Sequence, residues 1–222
     1  MYKRQFKFRS ATNKIYAERL TRAWPELQVE TKPFDLKQLP FEPVDLQVAD
    51  LALLVAQCEI DHSIGPVVDS IGGSAAGYRR WNTFKDKQLG RYAKQRNNAL
   101  LDGVSRMSPY LHYGMVSPFR IAREAAEIDN AGAEKYLDEL LIWRELAYTF
   151  CFYRDDHDQW SGIPDWAQET LRRHSTDDRS EVYSWEQLAR GETKDDFWNA
   201  AQKSLLIPVS YTHLTLPTKR IV

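Results

Sequence analysis

Two serine–proline pairs, Ser108-Pro109 and Ser117-Pro118, constrain this chain more than any other feature. Proline lacks an N–H and has a fixed φ, so it suits the first turn of a helix. A serine just before it offers an oxygen to the free N–H groups of that turn. The pairs predict two helix starts capped by Ser108 and Ser117, with Gly114 ending the short turn between them. Similar punctuation runs through the rest of the chain. Ser74 reads as a cap, and the stretch after it carries Tyr78, Trp81, Phe84, Leu89 and Tyr92 near helical spacing. A long helix is expected over Ala133–Tyr153, and Asp165 and Ser184 open two more. Ser184 with Gln187 three residues on is a capping box, Gly191 stops that helix, and Asp195 or Asp196 caps the last one. No segment alternates with the period of a strand. The expected fold class is mostly α.

Before Ser74 the text changes. "KIYAERLTRAW" is a short helical pattern, "TKPFDLKQLPFEPVD" reads as a linker, and "IDHSIGPVVDSIGGS" is irregular. The chain has 222 residues, enough for one large domain or parts of two, and 43% hydrophobic residues, enough for a packed core. No apolar run is long enough to span a membrane. Cys58 and Cys151 lack CxxC spacing, which suits a reduced, cytoplasmic protein and excludes a disulfide framework or thiol metal site. His62, His112, His157 and His174 are scattered, and no metal motif, phosphate loop or nucleophile elbow is present. The formal charge is −1. Nucleic-acid binders usually carry a basic surplus, so any DNA contact here must rest on a local patch.

The two ends read as foreign. "MYKRQ" and "VSYTHLTLPT" back-translate to one sequencing adapter in opposite senses. Residues 1–5 and 208–222 are therefore expected to be adapter-derived, with Phe6–Ile207 the natural part, cut at both sides and bearing no selected packing in Val209–Val222. Removing the adapter's four cations moves the net charge from −1 to −5.

Three stretches could carry chemistry. In "RYAKQRNNALLDGVSRMSPYLHYGMVSP", Gly103 permits a tight turn, and Ser105, Ser108 and a helix start could hold an anion such as a phosphate; ordinary capping explains the same pattern. In "YLDELLIWRELAYTFCFY", Tyr136, Glu139 and Trp143 share one face of a continuous helix. A carboxylate beside a large aromatic suits a flat polar ligand; a core stripe with one tolerated acid is the plainer reading, and Arg144 and Glu145 can simply pair. In "DDFWNAAQKSLL", Trp198 and Asn199 precede two alanines that allow close helix packing.

Taken in order, these stretches resemble the DNA photolyase/cryptochrome family over about Gly72–Leu206. "GVSRMSPYLHYGMVSP" matches the family's Gly-Thr-Ser-Arg-Leu-Ser-Pro-Tyr-Leu pattern, with Tyr92 twelve residues before the Thr position, here Val104. "RELAYTFCFY", "DWAQETLRRH" and "WNAAQ" are similar to the class II branch, which repairs cyclobutane pyrimidine dimers. The resemblance implies a helical FAD-binding domain over 74–207, truncated, preceded over 6–73 by the end of an α/β antenna domain and a linker. It implies that Tyr92, Val104, Ser105, Arg106, Met107 and Ser108 cradle the FAD pyrophosphate and ribityl chain, with one hydroxyl lost at Val104. Tyr136 and Arg144 would lie near the flavin, Glu139 would hydrogen-bond a flipped dimer, Trp143 would pack on it, and Trp198 would belong to an electron path that photoreduces the flavin. Reduced FAD would pass a light-driven electron to the dimer, whose cyclobutane ring splits before the electron returns. DNA is then the partner, with no membrane or metal, and the protein is a monomer.

The family's next motif, a Met-His-Gly-type segment, does not follow "WNAAQ" here. The chain alone is therefore expected to bind FAD weakly and to repair nothing. Rival readings are a cryptochrome-like photoreceptor, a cofactor-free helical interaction module, and repair of (6-4) photoproducts.

Overall fold

A computed structural model of the chain describes residues 2–22, 34–62, 70–98 and 100–206. The expectations for 208–222 lie outside the described residues. The chain divides into two compact units, one formed by Met1–Arg22 with Val67–Val222 and the other by Ala23–Pro66. The helices in chain order are α1 (Tyr2–Thr21), α2 (Leu51–Ala56), α3 (Ser74–Lys87), α4 (Tyr92–Gln95), α5 (Ser108–His112), α6 (Pro118–Ala126), α7 (Ala131–Leu137), α8 (Arg144–Tyr153), α9 (Asp165–Arg173), α10 (Trp185–Arg190) and α11 (Asp196–Leu206). The described residues contain no strand, as the absence of a two-residue period predicts. None of their helices is long and apolar enough to cross a membrane.

The smaller unit is locally held. A 3-10 turn at Leu36–Gln38 is capped by Asp35, and α2 is capped by Asp50, which accepts from the N–H groups of Ala52 and Leu53. None of its described residues is buried.

In the larger unit, α3 turns Trp81 and Phe84 inward and both are fully buried. They meet Leu89, Met107 and Ile121, also fully buried, and the rings of Tyr92 and Tyr136. Four aromatics form the centre: Tyr136 lies 5.4 Å, centroid to centroid, from each of Trp81, Phe84 and Tyr92. Burying side chains of this size contributes about 1.5–3 kcal/mol each. The Trp81 indole N–H reaches the Glu124 carboxylate at 2.7 Å, so this buried tryptophan keeps its hydrogen bond. Gly132 fixes how closely α7 approaches: a Cβ there would stand 1.8 Å from the Leu89 carbonyl oxygen.

Much of the predicted punctuation is present. Ser117 accepts from the Arg120 N–H and caps α6, and Gly114 and Gly191 are left-handed, with φ 65° and 66°. Ser184 and Gln187 make the reciprocal capping box, and Asp195 accepts from the N–H groups of Phe197 and Trp198 at the head of α11. Two caps differ. Gly73, at φ 95°, holds the position before α3, and Ser74 is its first helical residue. Met107, not Ser108, holds the position before α5. The reason is upstream: the Met107 N–H is already engaged by the Ser105 hydroxyl, and Arg106 is left-handed at φ 53°, so the chain enters the helix one residue early.

The long helix expected over Ala133–Tyr153 forms but is not uniformly α. Asp138–Trp143 is a π-helix between α7 and α8. This corrects the assumption of one α-helical face for Tyr136, Glu139 and Trp143, because the wider turn shifts register between them. The inward positions become Tyr136, Leu140 and Ile142, while Glu139 and Trp143 are half-buried.

Beyond Trp143 the character changes. From Arg144 to Leu206 the buried described residues are Gln168 and Gly191. Short polar ties hold these helices: Gln168 donates to the Ile163 carbonyl, Asn199 bonds Thr193, and Gln202 donates to the Ala189 carbonyl.

Candidate functional site

α4 and α7 pack side by side, and Tyr92 on α4 brings its buried ring edge-on to Tyr136 at the end of α7. One turn beyond Tyr92, Arg96 points to Glu139, with 2.9 Å between guanidinium and carboxylate. Lys135, four residues before Glu139, approaches the same oxygen at 2.8 Å. That oxygen, Oε1, is buried, and both cations lie off its hydrogen-bonding direction. Lys135 also holds Asp138 at 2.9 Å, and Arg9 of α1 pairs with Asp138 from the other side. Glu139 is thus an oriented carboxylate at the edge of the core. These groups are partly exposed, so each pair contributes about 1 kcal/mol or less to stability.

Two phenols lie beneath. Burial pushes Tyr136 well above the usual tyrosine range, opposed by the neighbouring Ser105 hydroxyl. Burial also raises Tyr92, opposed by Arg96. Both therefore stay protonated at neutral pH. Lys135 is raised too: burial lowers it, but Glu139 and Asp138 outweigh that.

The turn over Val104–Ser108 closes the arrangement. Gly103 is there for space: a Cβ would stand 2.7 Å from both the Cβ and the carbonyl oxygen of Gln95, so only glycine brings this turn against α4. The Ser105 carbonyl accepts from Arg80 Nε at 3.0 Å. Arg106 is exposed, in a left-handed conformation uncommon for a non-glycine residue, and pairs with Asp102 at 3.2 Å. Ser108 is exposed and spends no hydroxyl on the cap of α5. One guanidinium nitrogen of Arg80, Nη2, is buried without a hydrogen-bond partner among the described residues. Hydroxyls, a cation and an unsatisfied buried donor around one turn suit an anionic group.

The fold therefore brings Tyr92, Ser105, Met107, Tyr136 and Glu139 together. Tyr92, Met107 and Tyr136 lie in the core as the bed, while Val104, Arg106 and Ser108 are exposed along the turn. Trp143 is half-buried at the end of the π-helix. Arg144 pairs with Glu145 at 3.2 Å and stacks on the Tyr148 ring at 4.7 Å, in line with the plainer reading of that pair. Trp198 is placed by the α10–α11 pair, its indole N–H donating to the Leu188 carbonyl at 3.2 Å. Sequence reasoning missed Arg96, Lys135 and Arg80. The four-residue spacing of Lys135 and Glu139 was a visible signal, whereas the Arg96 and Arg80 contacts join distant segments.

No protein-family model matches the chain. Curated proteins do. It is 37% identical over 164 residues to a deoxyribodipyrimidine photo-lyase of Potorous tridactylus, covering 72% of this chain and 30% of that protein. It is 32% identical over 213 residues to a deoxyribodipyrimidine photo-lyase of Oryza sativa subsp. japonica, covering 90% of this chain and 39% of that protein. The chain belongs to the photolyase family. An Arabidopsis thaliana deoxyribodipyrimidine photo-lyase is 39% identical over 127 residues, 55% of this chain and 26% of that protein. The chain thus spans between about a quarter and two-fifths of these relatives' length. Photolyase relationship and the mostly helical fold agree with each other, and the resemblance noted in the sequence is the correct one.

Proposed function

We propose that the gene encoding this chain serves light-driven repair of cyclobutane pyrimidine dimers in DNA, with reduced FAD as cofactor, and that this chain supplies part of the site. What carries the reading is the convergence of α4, the Val104–Ser108 turn and the α7–π segment on one place, in a chain of this family. When bound, reduced flavin supplies the light-absorbing and electron-donating chemistry, and the protein supplies binding and orientation. The Ser105 and Ser108 hydroxyls and Arg106 hold the cofactor's phosphates, with Val104 beside them contributing no hydroxyl. Tyr92, Met107 and Tyr136 give that turn a rigid bed, and Arg144 borders it. The buried Arg80 donor beside Ser105 fits an anion at this turn.

Glu139 accepts hydrogen bonds from the polar edge of a flipped dimer, and Trp143 offers the aromatic face against which it packs. Arg96 and Lys135 position the Glu139 carboxylate for that task. Trp198 is one member of an electron path toward the flavin.

The test compares binding of a dimer-bearing oligonucleotide with its undamaged counterpart. We expect a preference of about tenfold or more for the dimer, the size of one well-made stacking and hydrogen-bonding contact. Trp143→Ala and Glu139→Ala should each erase it. Equal affinity of the unaltered chain for both oligonucleotides contradicts the reading. The reaction itself is tested in cells that lack photorepair and express the gene encoding these residues. Survival after ultraviolet exposure that depends on later light supports it, and equal survival in light and dark overturns it.

A further inference from the structure

Asp138 and Glu139 are neighbours in the chain, and one ammonium group lies between their carboxylates. Lys135 stands three residues before Asp138 and four before Glu139, the two spacings at which helical side chains meet. Its Nζ is 2.9 Å from Asp138 Oδ2 and 2.8 Å from Glu139 Oε1. The distances are alike, but the geometry is not. Lys135 donates a hydrogen bond to Asp138, whereas the buried Glu139 Oε1 receives none, either from Lys135 or from Arg96. The nearer oxygen is the one left without a hydrogen bond.

Asp138 is held in place to keep that proton. Its second oxygen, Oδ1, accepts from the Arg9 guanidinium, so both of its oxygens are engaged. Arg9 lies on α1, and α1 packs on the π-helix that Asp138 begins. Two turns further along α1, the Tyr16 hydroxyl lies 3.5 Å from the Leu141 carbonyl oxygen, so α1 meets this helix at both ends. The charges then alternate from α1 to α4 in the order Arg9, Asp138, Lys135, Glu139 and Arg96. Pairs this exposed add little to stability, so their main consequence is where the protons sit. A buried acceptor without a donor calls for an explanation, and a donor carried by a ligand supplies one.

We infer that Asp138, anchored by Arg9, is a positioning residue. It keeps the Lys135 hydrogen bond away from Glu139 and so leaves the buried oxygen of that carboxylate open to an N–H donor of the bound dimer. Arg96 and Lys135 supply compensating charge beside Glu139, and the missing donor arrives with the ligand. This inference rests on the dimer-repair reading of Glu139.

Two measurements on the whole chain test it. The first needs no ligand: scalar coupling across hydrogen bonds, read by NMR between the Lys135 ammonium nitrogen and the side-chain carboxylate carbons. Coupling to Asp138 and none to Glu139 is expected, with transfer to Glu139 in Asp138→Asn. The second compares a dimer-bearing oligonucleotide with its undamaged counterpart. Asp138→Asn should lower the preference for the dimer about fivefold or more, the weight of one hydrogen bond to a charged group. Arg9→Ala should lower it less, and Arg9→Lys should keep it. Asp138→Asn combined with Lys135→Met removes the competing ammonium and should recover part of the lost preference, which a purely structural role for Asp138 would not allow. Coupling to Glu139 in the unaltered chain, a preference untouched by Asp138→Asn, or no recovery in the double variant overturns this inference alone. Equal affinity of the unaltered chain for the two oligonucleotides overturns the repair reading and this inference together.

Discussion

Residues 74–143 and 144–206 are both helical, but they are held together differently. The first stretch contains the buried aromatic centre of Trp81, Phe84, Tyr92 and Tyr136. The second leaves Trp166 70% exposed, Phe152 80% exposed and Phe197 69% exposed, and relies on caps and side-chain ties. Tertiary burial, rather than helix content, decides where this chain is firm. The candidate site lies on the firm part, which suits groups that must keep their geometry.

The contrast is broken or sharpened first by paired tryptophan changes. Trp81→Ala should cost about 3–5 kcal/mol in denaturant unfolding. Trp166→Ala should stay within about 0.5 kcal/mol. A comparable loss at Trp166 would mean that the second stretch has a core of its own.

Glycines give the next pair. Gly132→Ala drives a methyl into the Leu89 carbonyl and should cost about 3 kcal/mol. Gly191→Ala meets a left-handed backbone instead and should cost about 1–2 kcal/mol. Circular dichroism melts of the two variants give the order, and a larger shift at Gly191 would contradict it.

Acid lability follows. Burial raises the Glu124 carboxyl, but hydrogen bonds from Arg120, Lys85 and Trp81 outweigh it and hold its pKa at about 2. A carboxyl depressed in the fold stabilises above its unfolded pKa and loses that contribution as the pH falls through the folded one. Stability should therefore fall between about pH 4.5 and pH 2 on this account, and Glu124→Gln should flatten that limb. Asp156 is also held well below its usual range, chiefly by its hydrogen bond from Arg154, but it is a half-exposed surface pair. Asp156→Asn should leave the acid limb unchanged. A local effect is expected at Ser184→Ala, about 1 kcal/mol or less from the lost capping box, seen as faster amide exchange in α10.

Helix starts and stops were legible because they are local: Ser117, Ser184, Gly191 and Asp195 act on neighbours a few residues away. Ser108 misled because its cap was decided by the turn at Ser105 and Arg106. The π-helix at Asp138–Trp143 had no signal, since an extra residue in a turn leaves the composition unchanged. In the site, Tyr92, Ser105, Met107, Tyr136 and Glu139 were visible from motif order. Arg80 and Arg96 were not, because their partners are 25 and 43 residues away in the chain.

The central claim is that the Val104–Ser108 turn grips the phosphates of a flavin cofactor. Titrating the chain with FAD and with riboflavin, which lacks phosphates, tests it by fluorescence quenching. The account predicts weak binding in which FAD is favoured at least about tenfold, with the preference reduced by Ser105→Ala combined with Ser108→Ala. Equal affinity for FAD and riboflavin, or a preference untouched by that double change, would contradict it.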